Sequence, residues 1–111
     1  MAQHQIFIES INADGTLELS DRGRNTFVSG GDRVTWHIRP HSGVANITRI
    51  QKKANSPEIF SNIPQQQGAI WKGDIMSNPT PDTEWVYSIF YNADGSNEKE
   101  FDPKITVRPS T

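Results

Sequence analysis

Apolar residues along this chain fall mainly at every second position, the spacing of strands with one buried face. Gln5-Ile6-Phe7-Ile8-Glu9-Ser10-Ile11 puts Ile6 and Ile8 on one side, and Thr16-Leu17-Glu18-Leu19-Ser20 alternates the same way. Between them, Asn12-Ala13-Asp14-Gly15 ends on a residue free to take positive φ, so the two runs predict a hairpin. Thr26-Phe27-Val28-Ser29 predicts a short strand that turns at Gly30-Gly31-Asp32. The clearest strand is Arg33-Val34-Thr35-Trp36-His37-Ile38, with Val34, Trp36 and Ile38 directed inward and Arg33, Thr35 and His37 outward. Val44 to Gln51 also predicts a strand, although Ile47 and Ile50 break its alternation.

Lys52 to Gly68, with Pro57, Pro64 and Gln65-Gln66-Gln67, predicts a long loop or a short helical turn near Ser56-Pro57-Glu58-Ile59-Phe60. Ala69-Ile70-Trp71 resumes strand character, and Asn78-Pro79-Thr80-Pro81-Asp82 predicts another loop. Glu84 to Tyr91 is a long strand with Trp85, Tyr87, Ile89 and Tyr91 on one side, and Asn92-Ala93-Asp94-Gly95 turns it. Lys104-Ile105-Thr106-Val107-Arg108 closes the chain. Seven or eight short strands separated by turn residues predict an all-β, antiparallel, Greek-key sandwich, with residues 1–111 as a single domain.

Composition agrees with that reading. Twelve Ile and five Val stand against two Leu and six Ala, and β-branched side chains favour the pleated surface over the helix. Apolar residues make up 33% of the chain, a lean supply for one core. No apolar run reaches the roughly 18 residues of a membrane-spanning helix. The absence of cysteine excludes disulfides, thiolate nucleophiles and zinc ribbons.

Gly31-Asp32-Arg33-Val34-Thr35-Trp36 resembles the Gly-Asp-x-Val-Thr-Trp strand of cupredoxins. Trp85-Val86-Tyr87-Ser88-Ile89, followed by Phe101-Asp102-Pro103-Lys104-Ile105-Thr106-Val107, resembles the last two strands of cupredoxin-like domains. The resemblance spans roughly residues 26–108 and implies a cupredoxin-like Greek-key shell. It does not extend to the metal. Val44-Ala45-Asn46 stands where the family's first His is expected, and residues 92–100 contain no Cys, His or Met. A blue-copper centre needs a thiolate and two imidazoles, so the resemblance implies a copper-free shell with no cofactor.

Other candidate chemistry is sparse. His37 and His41, with His4 as a third donor, form the alternative of a divalent-metal module if the loop after the strand folds back. Arg39 and His41 are candidate ligand contacts, and Trp71 or Tyr91 would serve a carbohydrate-binding module if exposed. Asn12, Asp14, Glu18 and Asp21 surround Gly15 as calcium ligands could, but their strand-like flanks favour a plain turn. His41-Ser42 sets a Ser beside a His, yet neighbours on an extended backbone point apart, and no nucleophile elbow is present. Glu98 and Glu100 share one face of an extended segment without any sign of a cleft around them.

The net charge of −2 is unevenly spread. Arg33 to Pro57 carries +5 with no acid, whereas Asp74 to Asp102 carries −6. Neighbouring strands that neutralise each other are the favoured account, with charge-driven self-association as the alternative. The basic block lacks the interleaved aromatics of a nucleic-acid platform. No basic start followed by an apolar stretch opens the chain, so the expected location is cytoplasmic by default. The expectation is therefore a non-catalytic module whose loops, Arg39–Gly43, Lys52–Gly68 and Asn92–Glu100, meet a protein or small ligand, with no nucleic acid and no membrane involved.

Overall fold

The alternating runs become strands β1 (Gln3–Ile11), β2 (Leu17–Leu19), β3 (Asn25–Val28), β4 (Arg33–Ile38) and β5 (Val44–Lys52). The second half supplies β6 (Phe60–Gln67), β7 (Ile70–Ile75), β8 (Glu84–Ala93), β9 (Glu98–Phe101) and β10 (Lys104–Val107). The structure, a computed structural model, describes residues 2–20, 25–93 and 98–108. Among these residues there is no helix, and so none long and apolar enough to cross a membrane.

One sheet has the order β2-β1-β4-β7-β6, and the other the order β3-β10-β8-β5 with β9 also pairing β8. The sheets are mixed rather than wholly antiparallel. β4 lies parallel to β1, and β10 parallel to β3. β2 and β3, consecutive in the chain, lie in different sheets, and β4 rejoins the first sheet beside β1.

Inward positions from both sheets join in one cluster, built around Trp36, Trp85, Tyr87, Ile89 and Ile105. Trp36 Nε1 donates to Tyr87 Oη at 3.2 Å, which satisfies a buried indole across the two sheets. Trp85 stacks on Tyr87 with centroids 4.6 Å apart and leans on Phe60 at the same distance. The expected inward set of the β4 segment is correct: Val34 and Trp36 are fully buried, and Ile38 packs against the cluster from its margin.

β5 keeps Val44, Ile47 and Ile50 inward at a spacing of three because its register against β8 slips twice, at Ala45 and at Thr48. Each bulge inserts one residue and restores the next apolar side chain to the core. The predicted loop of Lys52–Gly68 contains β6, an edge strand paired only to β7 among the described residues, and no helical turn forms at Ser56–Phe60. Pro64 is tolerated because an edge strand has one row of backbone groups without a neighbour. β9 likewise takes up part of the predicted Asn92–Glu100 loop, and residues 94–97 of that turn lie outside the described set.

Candidate functional site

Parallel β1 and β4 deliver their C-terminal ends to the same end of the sandwich, and β8 brings Ala93 opposite Val44 there. The β6–β7 reversal joins them, since Gln67 faces Ile70 one step beyond the Trp36–Trp71 pair. Three chain reversals, at residues 12–16, 39–43 and 68–69, therefore share one end with the tip of β8. This end holds Gly15, His41, Gly43 and Gly68, four of the six residues with positive φ among the described residues. His41, with φ of 67°, is the only one of the four with a side chain. An L-residue in that region carries strain of order 1 kcal/mol, so the loop around it must be fixed from outside.

Its fixation is visible. Arg39 N donates to Ile8 O at 3.1 Å, Ser42 N to Arg39 O at 3.2 Å and Val44 N to Ser42 Oγ at 3.2 Å. The Ser42 hydroxyl is thereby spent on the loop, and its side chain faces inward while His41 faces solvent. Beneath the loops Ile11, Ile38 and Trp71 close the core as a half-buried apolar lid. The Tyr91 hydroxyl donates to Gly15 O and ties the first turn to β8. Burial raises the Tyr91 phenol above its ordinary range, and the charge of Asp14 adds to that.

The residues singled out from sequence do not form one cluster. His41 is exposed at the loop tip. His37 stands on the outer face of its sheet, where Phe7 stacks on it at 4.6 Å and Thr35 Oγ1 lies 2.9 Å from its Nε2. Burial, reinforced by the Arg39 cation, lowers the His37 pKa. Arg39 lies over the other aromatic partner, 4.0 Å from the Phe7 ring centroid, and its Nε reaches Glu9 at 3.2 Å. His4 sits near the start of β1 in register with Val34 and bonds Asp32 Oδ2 at 2.8 Å. By strand alternation it belongs to the opposite face from His37. Among the described residues, no group of three or more His, Asp or Glu is placed to hold a metal ion.

The two aromatic candidates part company. Trp71 is half-buried as part of the lid, whereas Tyr91 is wholly buried and offers no face to a sugar ring. Around Gly15, Asp14 accepts from Thr16 N and Thr16 Oγ1, and Asn12 donates to Thr16 and Glu18. These are the bonds of a closed turn, while Asp21 lies outside the described residues.

Sequence reasoning missed the cluster on the outer face of the second sheet. Lys53 Nζ pairs with Glu100 at 2.8 Å and Asp102 at 3.1 Å, and the Ser88 hydroxyl sits between those two carboxylates. Lys53, followed by Ser88, holds the Glu100 carboxyl below its usual range despite some burial. Glu98 instead receives the Thr48 hydroxyl. The basic and acidic blocks thus meet across β8, which has β5 on one side and β9 on the other, whereas the Arg33–Asp74 pair at 2.8 Å joins directly paired strands in the first sheet. Only the strand order, not any sequence spacing, reveals the cluster. Ser88 is 2% exposed, which leaves its oxygen no room to attack an acyl carbon.

No family model and no curated protein matches the chain. Among solved structures, a cysteine protease inhibitor from Entamoeba histolytica is similar over 97% of this chain and 97% of its own, with 11% identity and a TM-score of 0.44.

Proposed function

We propose that this chain is a non-catalytic binding module whose working surface is the loop end formed by residues 12–16, 39–43 and 67–70. The observation that carries this reading is the convergence of Gly15, His41, Gly43 and Gly68, all at positive φ, on one end of the sandwich. Turns of that kind expose peptide groups and small side chains, and a rigid sheet beneath them holds the shape a partner must match. The surface is polar with few charges: Asn12, Ala13, Asp14, Pro40, His41, Gln66 and Gln67 form most of it. A protein partner is the occupant this favours, because short fixed turns offer hydrogen bonds across a broad area rather than a deep cavity. The cupredoxin-like reading of the shell stays part of the proposal. It is supported by the Gly31–Trp36 segment entering β4 and by the two later motifs lying on adjacent β8, β9 and β10.

The test compares two variants for retention of a protein captured from the source extract and then purified. His41→Gly combined with Gln67→Ala alters the loop end, while Thr80→Ala with Asp82→Gly alters the opposite end. Glycine accepts the positive φ at 41, so the first variant is expected to keep the wild-type melting temperature within a few degrees. The reading requires at least tenfold weaker binding for the loop-end variant and unchanged binding for the other. Equal affinity of both variants overturns it.

A further inference from the structure

A second surface lies away from the loop end, where the edge of β5 faces the edge of β6. There a groove of about 330 Å³ is floored by Ile50, Pro64 and Trp85 and walled by Ile63. Ile63 is 54% exposed, one of two large apolar side chains so open among the described residues. Trp85 is 1% exposed, and its Nε1 is a buried donor with no acceptor in the fold. An unpaired buried N–H is costly, and an oxygen of an occupant that reached it would offset that cost.

Cations outnumber the single carboxylate, Glu58, around the groove. Lys52 stands on its rim and Arg49 lies nearby in the next trough, stacked 4.0 Å from the Phe90 ring centroid. Among the described residues, neither cation has a carboxylate partner, in contrast to Lys53 beside them. Glu58, at the other side, is bound to its own backbone, accepting from Ile59 N and Phe60 N at 3.1 Å each. The β5 edge from Ile50 to Lys52 lies past both bulges, runs in regular register and, among the described residues, pairs only with β8. It is therefore an open template for one more extended segment.

We infer that this edge binds an extended peptide of a partner protein in which a bulky apolar side chain is followed by acidic residues. The apolar side chain enters between Ile63 and Trp85, a backbone or carboxylate oxygen takes the Trp85 N–H, and the acids lie against Lys52 and Arg49. Lys52 and Arg49 against the one carboxylate of Glu58 favour an acidic occupant, since a basic peptide would add to the local positive excess.

The experiment is an NMR titration of the ¹⁵N-labelled full chain with capped five-residue peptides. One set carries Leu, Phe or Trp followed by Asp-Glu, a second has the acids replaced by Lys-Lys, and a third has the apolar residue replaced by Gly. The proposal expects a downfield shift of the Trp85 indole resonance and shifts at Ile50–Lys52 and Ile63 with the first set alone. It also expects Lys52→Glu to weaken that binding about tenfold with the fold intact, as a rim charge does. No shift at Trp85 across the panel at 5 mM peptide, equal binding of the lysine peptides, or shifts confined to residues 12–16 and 39–43 each overturn it. Because the loop end is read separately in the same spectra, failure here leaves the proposed function to its own test.

Discussion

Replacing Tyr91 by Phe removes one oxygen from the centre of the loop end and leaves the ring in place. The hydroxyl donates to Gly15 O across 76 residues of sequence, the longest-range tie of the first turn to β8. A net hydrogen bond of this kind contributes about 1 kcal/mol, and a carbonyl left without its donor adds a further part of its desolvation cost, so the expected loss is about 1–2 kcal/mol. For a domain of this size that corresponds to a fall in melting temperature of about 4–8 °C. Urea unfolding gives the free energy directly. The pH dependence is a second signature. The phenol is raised above its ordinary 10.0 by burial and by Asp14, so its contribution is complete below pH 10 and is lost as pH rises through the higher folded value. The stability gap between wild type and Tyr91→Phe is thus constant up to about pH 10 and narrows above it. The variant also frees the 12–16 turn, seen as faster amide exchange at Gly15 and Thr16. A loss under about 0.3 kcal/mol, with exchange at the turn unchanged, would refute the idea that this bond organises the loop end.

Asp32 anchors the opposite end, where its carboxylate accepts from Ala2 N at 2.9 Å, Ser29 N at 2.8 Å and His4. Burial pushes its pKa up, but those bonds outweigh it and leave the carboxyl below 3.8. Asp32→Ala is expected to cost about 1–3 kcal/mol by urea unfolding. That gap should hold above pH 3.8 and close as acid protonates the native carboxyl at still lower pH. On the outer face of the first sheet, ¹H–¹⁵N spectra should show His37 titrating below 6.5, because burial and then Arg39 disfavour its charge. Arg39→Ala is expected to move that titration upward, and an unmoved midpoint would remove the Arg39 contribution.

The fold was legible wherever one face of a strand is apolar and the other polar. Val34, Trp36, Ile38 and Tyr87, Ile89, Tyr91 announced β4 and β8 because every second position in both is apolar and turned to the core, even though Thr35 and Ser88 between them are buried as well. β5 was legible as a strand but its inward set was not, since two bulges convert that period into the spacing of three seen in Val44, Ile47 and Ile50. β6 was hidden by its position at an edge. Ser61, Asn62, Gln65, Gln66 and Gln67 all face solvent, and the register slips twice between Phe60 and Gln65, so no alternation remains to be seen. The direction of the strands was hidden as well, because the parallel pairs follow from where the chain changes sheet.

The candidate site was legible only in its loops. Arg39–Gly43 was expected as a surface loop, and His41 is its exposed tip. Its neighbours at 12–16 and 68–69 are brought in by the parallel β1–β4 pairing, which no local pattern encodes. Tyr91 shows the limit most plainly. Its alternation with Trp85, Tyr87 and Ile89 already placed it on the inward face, and the structure adds only the partner of its hydroxyl.

Hydrogen–deuterium exchange on the full chain, with and without a purified protein partner, tests the central claim most directly. The account predicts that the partner slows exchange at residues 12–16, 39–43 and 67–70 together. Slowing confined to residues 29–32, 53–59 and 76–83, at the other end of the sandwich, would contradict it.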